Sequence, residues 1–520
     1  MREPSFGRIG RETAESERTE TADFGGESRL RSGMSEVQKR ARAIHQNLTR
    51  APGGKCRSGW RVHRSINHPP GCEFGKQGSV SIENRRLDLC CFAWMPPFLF
   101  CHMKKSYLCI DLKSFYASVE CVDRGLDPFK VNLVVADLER GGGTICLAVS
   151  PAMKALGVPG RCRVFEIPKG IKYVMAPPRM NLYMQKSKQI VGIYLRYVSP
   201  DDIHVYSVDE CFIDATDYLR LYHKTEKEFA NMLRDAVFAE TGICATAGIG
   251  TNLFLAKVAL DIVAKHVPDH IGVLDEERFK EQIWHHRPIT DIWNVGPGIA
   301  RKLEHFGVYD LHGVTLLPKD TLWRTFGVNA RFLLDHANGV EPCTIAEIKA
   351  YQPKSTSISN GQVLFRDYSF AEAELILMEM VELMTLELIR RRQRTSSIGL
   401  MVGYSKEAAP MVGRTLKLPS PTQSYKRLSD VFRTMYTGSV QQDLPIRRLN
   451  ISLGGLCEEA DTQLSLFDDS IAEAKERSVL QTIVKLHDKY GKNSIVRGRD
   501  FEECATLRAR NGMIGGHRSQ

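Results

Sequence analysis

The chain has 520 residues, 25% of them charged, and a net charge of +10. That is room for several domains with a sizeable core, and a basic excess that suits a polyanionic partner without being extreme. The 14 cysteines show no C-x-x-C pair and no Cys/His spacing of a zinc site, which argues against a zinc module and fits a reducing cytoplasm.

Residues 1–102 are rich in Arg, Glu, Ser and Gly and have no sustained period, so they read as disordered. Their one strongly apolar run, 90–101, is too short for a membrane span. It is broken by Pro96-Pro97 and lies too far in for a signal peptide, so no membrane partner is expected. Tyr107 to Ile110 then reads as a buried strand ending in Asp111, with Ser114 as N-cap of a helix beginning at Phe115. "VNLVVADLE" and "GTICLAVS" read as a β pair across Gly141-Gly142-Gly143, and "PAMKALGV" as a short helix closed by Gly157. A helix over 183–197 precedes a strand–turn–strand over Val205–Asp214, whose turn holds Asp209 and Glu210. A helix near 226–241, a strand over 244–250 and a helix over 252–265 follow. Val295-Gly296-Pro297-Gly298 lies between helical segments, with Arg301 and Lys302 just after it. Residues 352–457 read as strand, helix (371–392), strands, helix (423–437), strand. An acidic stretch containing Gln463-Leu464-Ser465-Leu466-Phe467, a helix at 471–489 and a basic end complete the chain.

Adjacent carboxylates in a turn repel and raise each other's pKa unless a cation neutralises them. A hard divalent ion is the natural partner; an exposed acidic hairpin tip is the plainer reading. Asp111 tilts the balance, because a carboxylate ending a buried strand just before a helix is a common site of chemistry in such folds. If one sheet brings Asp111, Asp209 and Glu210 together, they suit two Mg²⁺ about 3.5–4 Å apart, the arrangement used for phosphoryl transfer.

"CIDLKSFYASVE" followed by "YSVDECFID" resembles the Y-family, or translesion, DNA polymerases of the UmuC/DinB type, closest to UmuC-like proteins of Gram-positive bacteria. Further motifs continue the match from about Met103 to Gly455. The resemblance implies an α+β fold shaped as a right hand. The palm would be 103–119 and 183–273, small fingers 120–182, a helical thumb with a helix–hairpin–helix 274–343, a βαββαβ little finger 352–457, and a tail 458–520. Residues 1–102 would be an extension of that fold or translated upstream sequence with Met103 as the start.

The implied activity is template-directed addition of deoxynucleotides to a primer opposite damaged template, in DNA repair and the SOS response. Asp111, Asp209, Glu210 and the backbone carbonyl of Leu112 would hold two Mg²⁺. Phe115 and Tyr116 would line the nucleotide pocket, Tyr116 as the steric gate against a ribose 2′-OH; packing on the palm is the plainer role for both. Lys265 would meet the triphosphate, with Lys257 as the alternative. The place where relatives carry a Tyr-x-x-Arg pair reads Ser150-Pro151-Ala152-Met153, which leaves the fingers' triphosphate contacts open. Gly296, Gly298, Arg301 and Lys302 of the hairpin would meet DNA phosphate. Lys354, Arg391, Arg392, Arg394, Lys406, Arg414 and Lys417 supply charge for duplex DNA. Gln463, Leu464, Leu466 and Phe467 look like a peptide for the bacterial sliding clamp, the β subunit. Partners would thus be primer–template DNA, dNTP, the clamp and accessory SOS proteins, in the cytoplasm at the nucleoid. A nucleotidyl cyclase also uses paired carboxylates on a palm-like sheet, and a catalytically inactive clamp- or DNA-binding accessory is a third class. Neither accounts for the hairpin, the basic module, the peptide and three intact carboxylates together.

Overall fold

Apolar runs of four to six residues between turns become the strands of the first sheet, and its central strand carries the key carboxylate. The computed structural model describes residues 104–137, 139, 143–352, 356–405, 408–459 and 470–519. The N-terminal stretch 1–102, Lys354, Lys406 and the peptide Gln463–Phe467 lie outside the described residues.

In chain order, β1 (Tyr107–Leu112) leads into α1 (Phe115–Asp123). Next come β2 (Leu133–Val135), β3 (Ala148–Val149), α2 (Pro151–Ala155) and β4 (Val174–Ala176). They are followed by α3 (Met180–Tyr194), β5 (Ile203–Val205), β6 (Glu210–Asp214), α4 (Glu226–Thr241), β7 (Ala245–Gly250), α5 (Leu253–Val258) and β8 (Ile271–Leu274). The palm sheet has the order β5-β6-β1-β7-β8, and β3-β2-β4 form a small sheet in the fingers. Strands β1 and β6 are antiparallel, with Asp111 directly opposite Glu210. On one face Leu108, Ile110, Leu112, Cys211 and Ile213 join a core with Phe115, Tyr183, Ile190 and Phe229 from the helices. On the other face Tyr107, Cys109 and Phe212 receive Leu253, Ala256 and Leu260.

Glycines let that second layer come close. A Cβ added at Gly248 would lie 2.1 Å from the Ala256 carbonyl oxygen, and one at Gly250 2.2 Å from the Ala256 nitrogen. The helix expected over 252–265 is α-helical through Val258 and then widens into a π turn, Ala259–Val263. The wide turn lies where the backbone presses on the sheet: Gly272 has the Ala259 carbonyl oxygen 2.2 Å from where its Cβ would be. Ser114 does stand at the head of α1, but in a left-handed conformation (φ 48°) with no cap bond from its hydroxyl. The chain has to turn sharply there to leave the strand, and the left-handed turn takes the place of a side-chain cap.

The thumb packs around Phe279, Leu303, Leu322 and Leu333. Its Gly-rich turn precedes α6 (Pro297–Glu304), but the helix expected before the turn is a single 3₁₀ turn, Ile289–Asp291. The last domain is β9 (Ser357–Tyr368), α7 (Phe370–Arg391), β10 (Gln393–Tyr404), β11 (Val412–Thr422), α8 (Tyr425–Thr437), β12 (Ile446–Gly454) and a short β13 (Cys457–Glu458). Its sheet order is β11-β10-β12-β9, and both helices cover one face through Ile376, Met380, Leu428 and Phe432. Ser369 and Glu372 close α7 with a reciprocal capping box, the local signal that starts this long helix. Beyond it, α9 (Ser470–Tyr490) packs Leu480 and Val484 on Leu386 and Ile389 of α7. The chain ends in α10 (Leu507–Asn511) and the hairpin β14 (Met513–Ile514) and β15 (His517–Arg518). Among the described residues no helix is long and apolar enough to cross a membrane.

Candidate active site

The sheet register places two of the expected carboxylates side by side, and the hairpin turn adds the third. The Leu112 N–H donates to the Asp209 carbonyl at 2.9 Å, which holds the end of β1 against the turn. The turn closes on itself: the N–H groups of Tyr206 and Ser207 both donate to the Glu210 carbonyl, at 2.9 and 3.0 Å. The Ser207 hydroxyl donates to the Asp209 carboxylate at 2.7 Å and accepts the Asp209 N–H at 3.3 Å. Burial raises the Asp111 carboxyl to about 7, and the charges of Asp209 and Glu210 push the same way.

Glu210 has a cationic partner of its own. Its carboxylate takes an ion pair from Lys257 at 2.5 Å, both side chains being nearly buried, and accepts a weak bond from the Cys109 thiol at 3.1 Å. Lys257 also pairs with Asp261 at 3.0 Å. Burial opposes its charge, but Asp261 and Glu210 more than offset this and hold it well above the ordinary lysine range. Asp111, Asp209 and Glu210 are thus an electrostatically coupled trio in which one member already has a cation. Accordingly, among the described residues no group of three or more His, Cys, Asp or Glu is arranged to hold a metal ion. The donor chemistry still fits a hard divalent ion. Asp111 is an oxygen donor in charge conflict with its neighbours, and Glu210 takes Lys257 and Cys109 on Oε1, which leaves Oε2 as a donor for a metal.

Phe115 is buried in the palm core, the plainer of its two readings. Tyr116 is half-buried, its ring stacked on Tyr183 with centroids 4.5 Å apart. Its phenol is pushed up by burial and by the charge of Asp209, and Arg161 acts in the opposite direction. Of the two lysines left open by the sequence, Lys257 is the one bound to Glu210, and Lys265 is exposed. In the fingers, Ser150 is a buried structural cap: its Oγ accepts from Met153 N–H and donates to the Val131 carbonyl at 2.8 Å. Lys154, in the last turn of α2, is lowered by burial, and it feels Asp111, Lys265 and Asp209. Lys154 is thus electrostatically coupled to Asp111 and Asp209. The sequence signal for Lys154 is its place in the last turn of a short helix capped by Ser150.

The expected DNA contacts are spread out. A Cβ at Gly296 or Gly298 would meet nothing within 4 Å, so packing does not require these glycines and their backbone faces open space. Arg301 and Lys302 are exposed, and the Lys302 ammonium lies 5.6 Å from the Phe326 ring. Arg414 and Lys417 are exposed on the edge strand β11. Arg391 pairs with Glu387 at 2.7 Å, and Arg392 is the left-handed C-cap of α7. Arg394 is half-buried in a cleft of about 270 Å³ with Gln423, Glu473 and Arg477, rather than on an open face.

Comparison with known proteins agrees with this architecture. Residues 110–261 match the impB/mucB/samB family and residues 355–466 that family's C-terminal domain. The Bacillus subtilis (strain 168) protein UvrX, named for UV-damage repair, is 30% identical over 428 residues, covering 80% of this chain and 98% of that protein. DNA polymerase IV 2 of the same organism is 31% identical over 433 residues, covering 80% and 99%. A solved Y-family DNA polymerase chimera aligns with a TM-score of 0.51 at 18% identity, over 68% of this chain and 99% of that one, which supports the fold. The chain belongs to the impB/mucB/samB family, the UmuC/DinB-type Y-family DNA polymerases, and is a DNA-directed DNA polymerase of the translesion type.

Proposed function

We propose that the nucleotide-adding centre of this polymerase is the end of β1 and the β5–β6 turn, with Asp111, Asp209 and Glu210 as its carboxylates. The observation that carries this is the register that sets Asp111 against Glu210 while Leu112 is bonded to Asp209. Polymerases of this family depend on a metal. Two Mg²⁺, held by Asp111, Asp209, Glu210 and the Leu112 carbonyl, would neutralise the triphosphate and favour the ionised primer 3′-OH. Lys257 orients Glu210 through their ion pair. Lys154, Lys265 and Arg161 receive the triphosphate, and Tyr116, braced by Tyr183, fills the space beside the sugar C2′.

The division into palm 103–119 and 183–273, fingers 120–182, thumb 274–343, little finger 352–457 and tail 458–520 belongs to the same proposal. So do the DNA contacts at the Gly296–Gly298 turn and on the little finger, docking of Gln463–Phe467 on the sliding clamp, and service in the SOS response. Nothing at the site favours an inactive accessory protein, since all three carboxylates are intact. Primer extension with Mg²⁺ tests the centre: Asp209→Ala or Glu210→Ala is expected to cut nucleotide addition by at least about 1000-fold with little change in primer–template binding. Near-normal extension by either variant would refute the assignment.

A further inference from the structure

The end of the chain has no role legible in the sequence, yet it makes a dense set of polar contacts with distant residues. Glu379 lies on α7 with no solvent exposure, and Thr506 gives it both its N–H, at 3.0 Å, and its hydroxyl, at 2.9 Å. Glu382, one turn on, takes Arg497 at 2.6 Å and Arg499 at 2.7 Å. Arg510 reaches Gln362 at 2.6 Å and Asn360 at 3.2 Å on β9, the edge strand of the little-finger sheet. Lifting this segment would leave a buried carboxylate without its donors, so it is fixed to the little finger.

The next residues leave that domain. The hairpin turns at Gly515 and Gly516, whose φ angles of 59° and 82° are those a tight two-residue turn demands. Ile514 packs against the palm core. The Ser519 carbonyl accepts the Asn181 N–H at 3.0 Å, in the first turn of α3, where the N-cap Arg179 provides no side-chain cap. Arg518 donates to Asp137 at 3.2 Å, at the end of finger strand β2, and also pairs with Glu139. The far anchor therefore sits on the helix whose Tyr183 braces Tyr116.

We propose that residues 497–519 are a strap that ties the little finger to the palm and fingers, with Ile514 and Arg518 as its positioning residues. The chain already enters the little finger from the thumb, and the strap adds a second, non-covalent tether. Two tethers restrict rotation where one leaves a hinge, so the duplex grip and the nucleotide pocket stay in register. This rests on the polymerase reading for its consequence on DNA but not for its geometry.

The test uses the full chain, the chain lacking residues 513–520, and the double variant Ile514→Asp with Arg518→Glu. Both changes leave the Glu379–Thr506 anchor in place. Paired labels on noncanonical residues at Glu226 and Thr437, both exposed, report the palm-to-little-finger distance. A single narrow distribution is expected for the full chain and a broad one for both variants, with Arg518→Lys staying narrow. Primer–template Kd should weaken by about fivefold, as lost preorganisation would give, while kcat at saturating DNA stays within about twofold. Superimposable distributions in all proteins would overturn the strap. Failure of the unaltered chain to extend primers would instead overturn the polymerase reading and leave the distance result standing.

Discussion

Asp111 on β1 and Glu120 on α1 are both acidic and both withdrawn from water, yet they end in opposite electrostatic states. Burial opposes ionisation of Glu120, but bonds from Arg179, Tyr183 and Arg124 outweigh it and hold its carboxyl below the usual range. Arg179 donates to it at 3.0 and 2.6 Å and Tyr183 at 2.6 Å. Asp111 has burial and the carboxylates of Asp209, Glu210 and Asp261 against it, and the charge of Lys257 does not offset them, so it rises to about 7. Burial opposes the charge of both; the supply of hydrogen-bonding partners is what differs. A buried carboxylate with its donors built into the fold is structure, whereas one left in conflict is waiting for charge from outside the chain.

Asp111→Asn breaks the comparison most strongly. It removes an oxygen donor of the proposed centre, so nucleotide addition should fall by at least about 1000-fold. The same change should stabilise the metal-free protein. The folded pKa lies above the ordinary value of about 3.9, so the ionised form costs stability, increasingly from pH 4 to about pH 7 and constantly above. In EDTA the variant should gain roughly 2 kcal/mol at pH 8 and almost nothing at pH 4, read as Tm. A loss of stability at pH 8 would show that Asp111 is a structural carboxylate like Glu120.

Glu120→Gln should do the reverse. It breaks a buried ion pair and leaves Arg179 and Arg124 short of an acceptor, a loss of about 3 kcal/mol in denaturant unfolding. Because the folded carboxyl is held low, the deficit should be full at neutral pH and shrink as pH falls through the carboxylate range. Activity per folded molecule should stay within about twofold, and a loss as large as that of Asp111→Asn would make Glu120 part of the chemistry. Tyr116→Ala comes next in size. Opening the space beside the sugar should raise the ratio of rNTP to dNTP kcat/KM by at least about tenfold. An unchanged ratio would leave Tyr116 as a packing residue on Tyr183.

What the sequence revealed, and what it hid, follows the same division. The palm strands were legible because Tyr107–Ile110 and Cys211–Ile213 are short apolar runs, and each run stands next to a carboxylate it has no local reason to carry. The partner of Glu210 was not legible, because Lys257 arrives from a helix set by packing on Gly248 and Gly250. The π turn at Ala259–Val263 was hidden for the same reason: apolar spacing signals a helix, but a sheet pressed against its backbone decides its width. Lys154 was passed over because the short helix was read for its cap and its closing glycine and not for its last turn. The terminal segment looked featureless because its order comes from Glu379, Glu382 and Gln362, far away in the chain. Periodicity reports faces that bury apolar area, and it is silent on polar docking.

Tyr183 joins the two carboxylate regions, since its hydroxyl serves Glu120 and its ring serves Tyr116. Tyr183→Phe separates those duties. The ring stays, so the stack 4.5 Å behind the proposed sugar gate is preserved. The lost group is one donor of a carboxylate that keeps both arginines, so the cost should be about 1 kcal/mol, at the low end for a bond to a charged acceptor. Sugar discrimination should change by less than about twofold. If the ratio of rNTP to dNTP incorporation rises as far as in Tyr116→Ala, the hydroxyl, and through it Glu120, sets the position of the gate. The buried network would then be a support of the active site as well as of the fold.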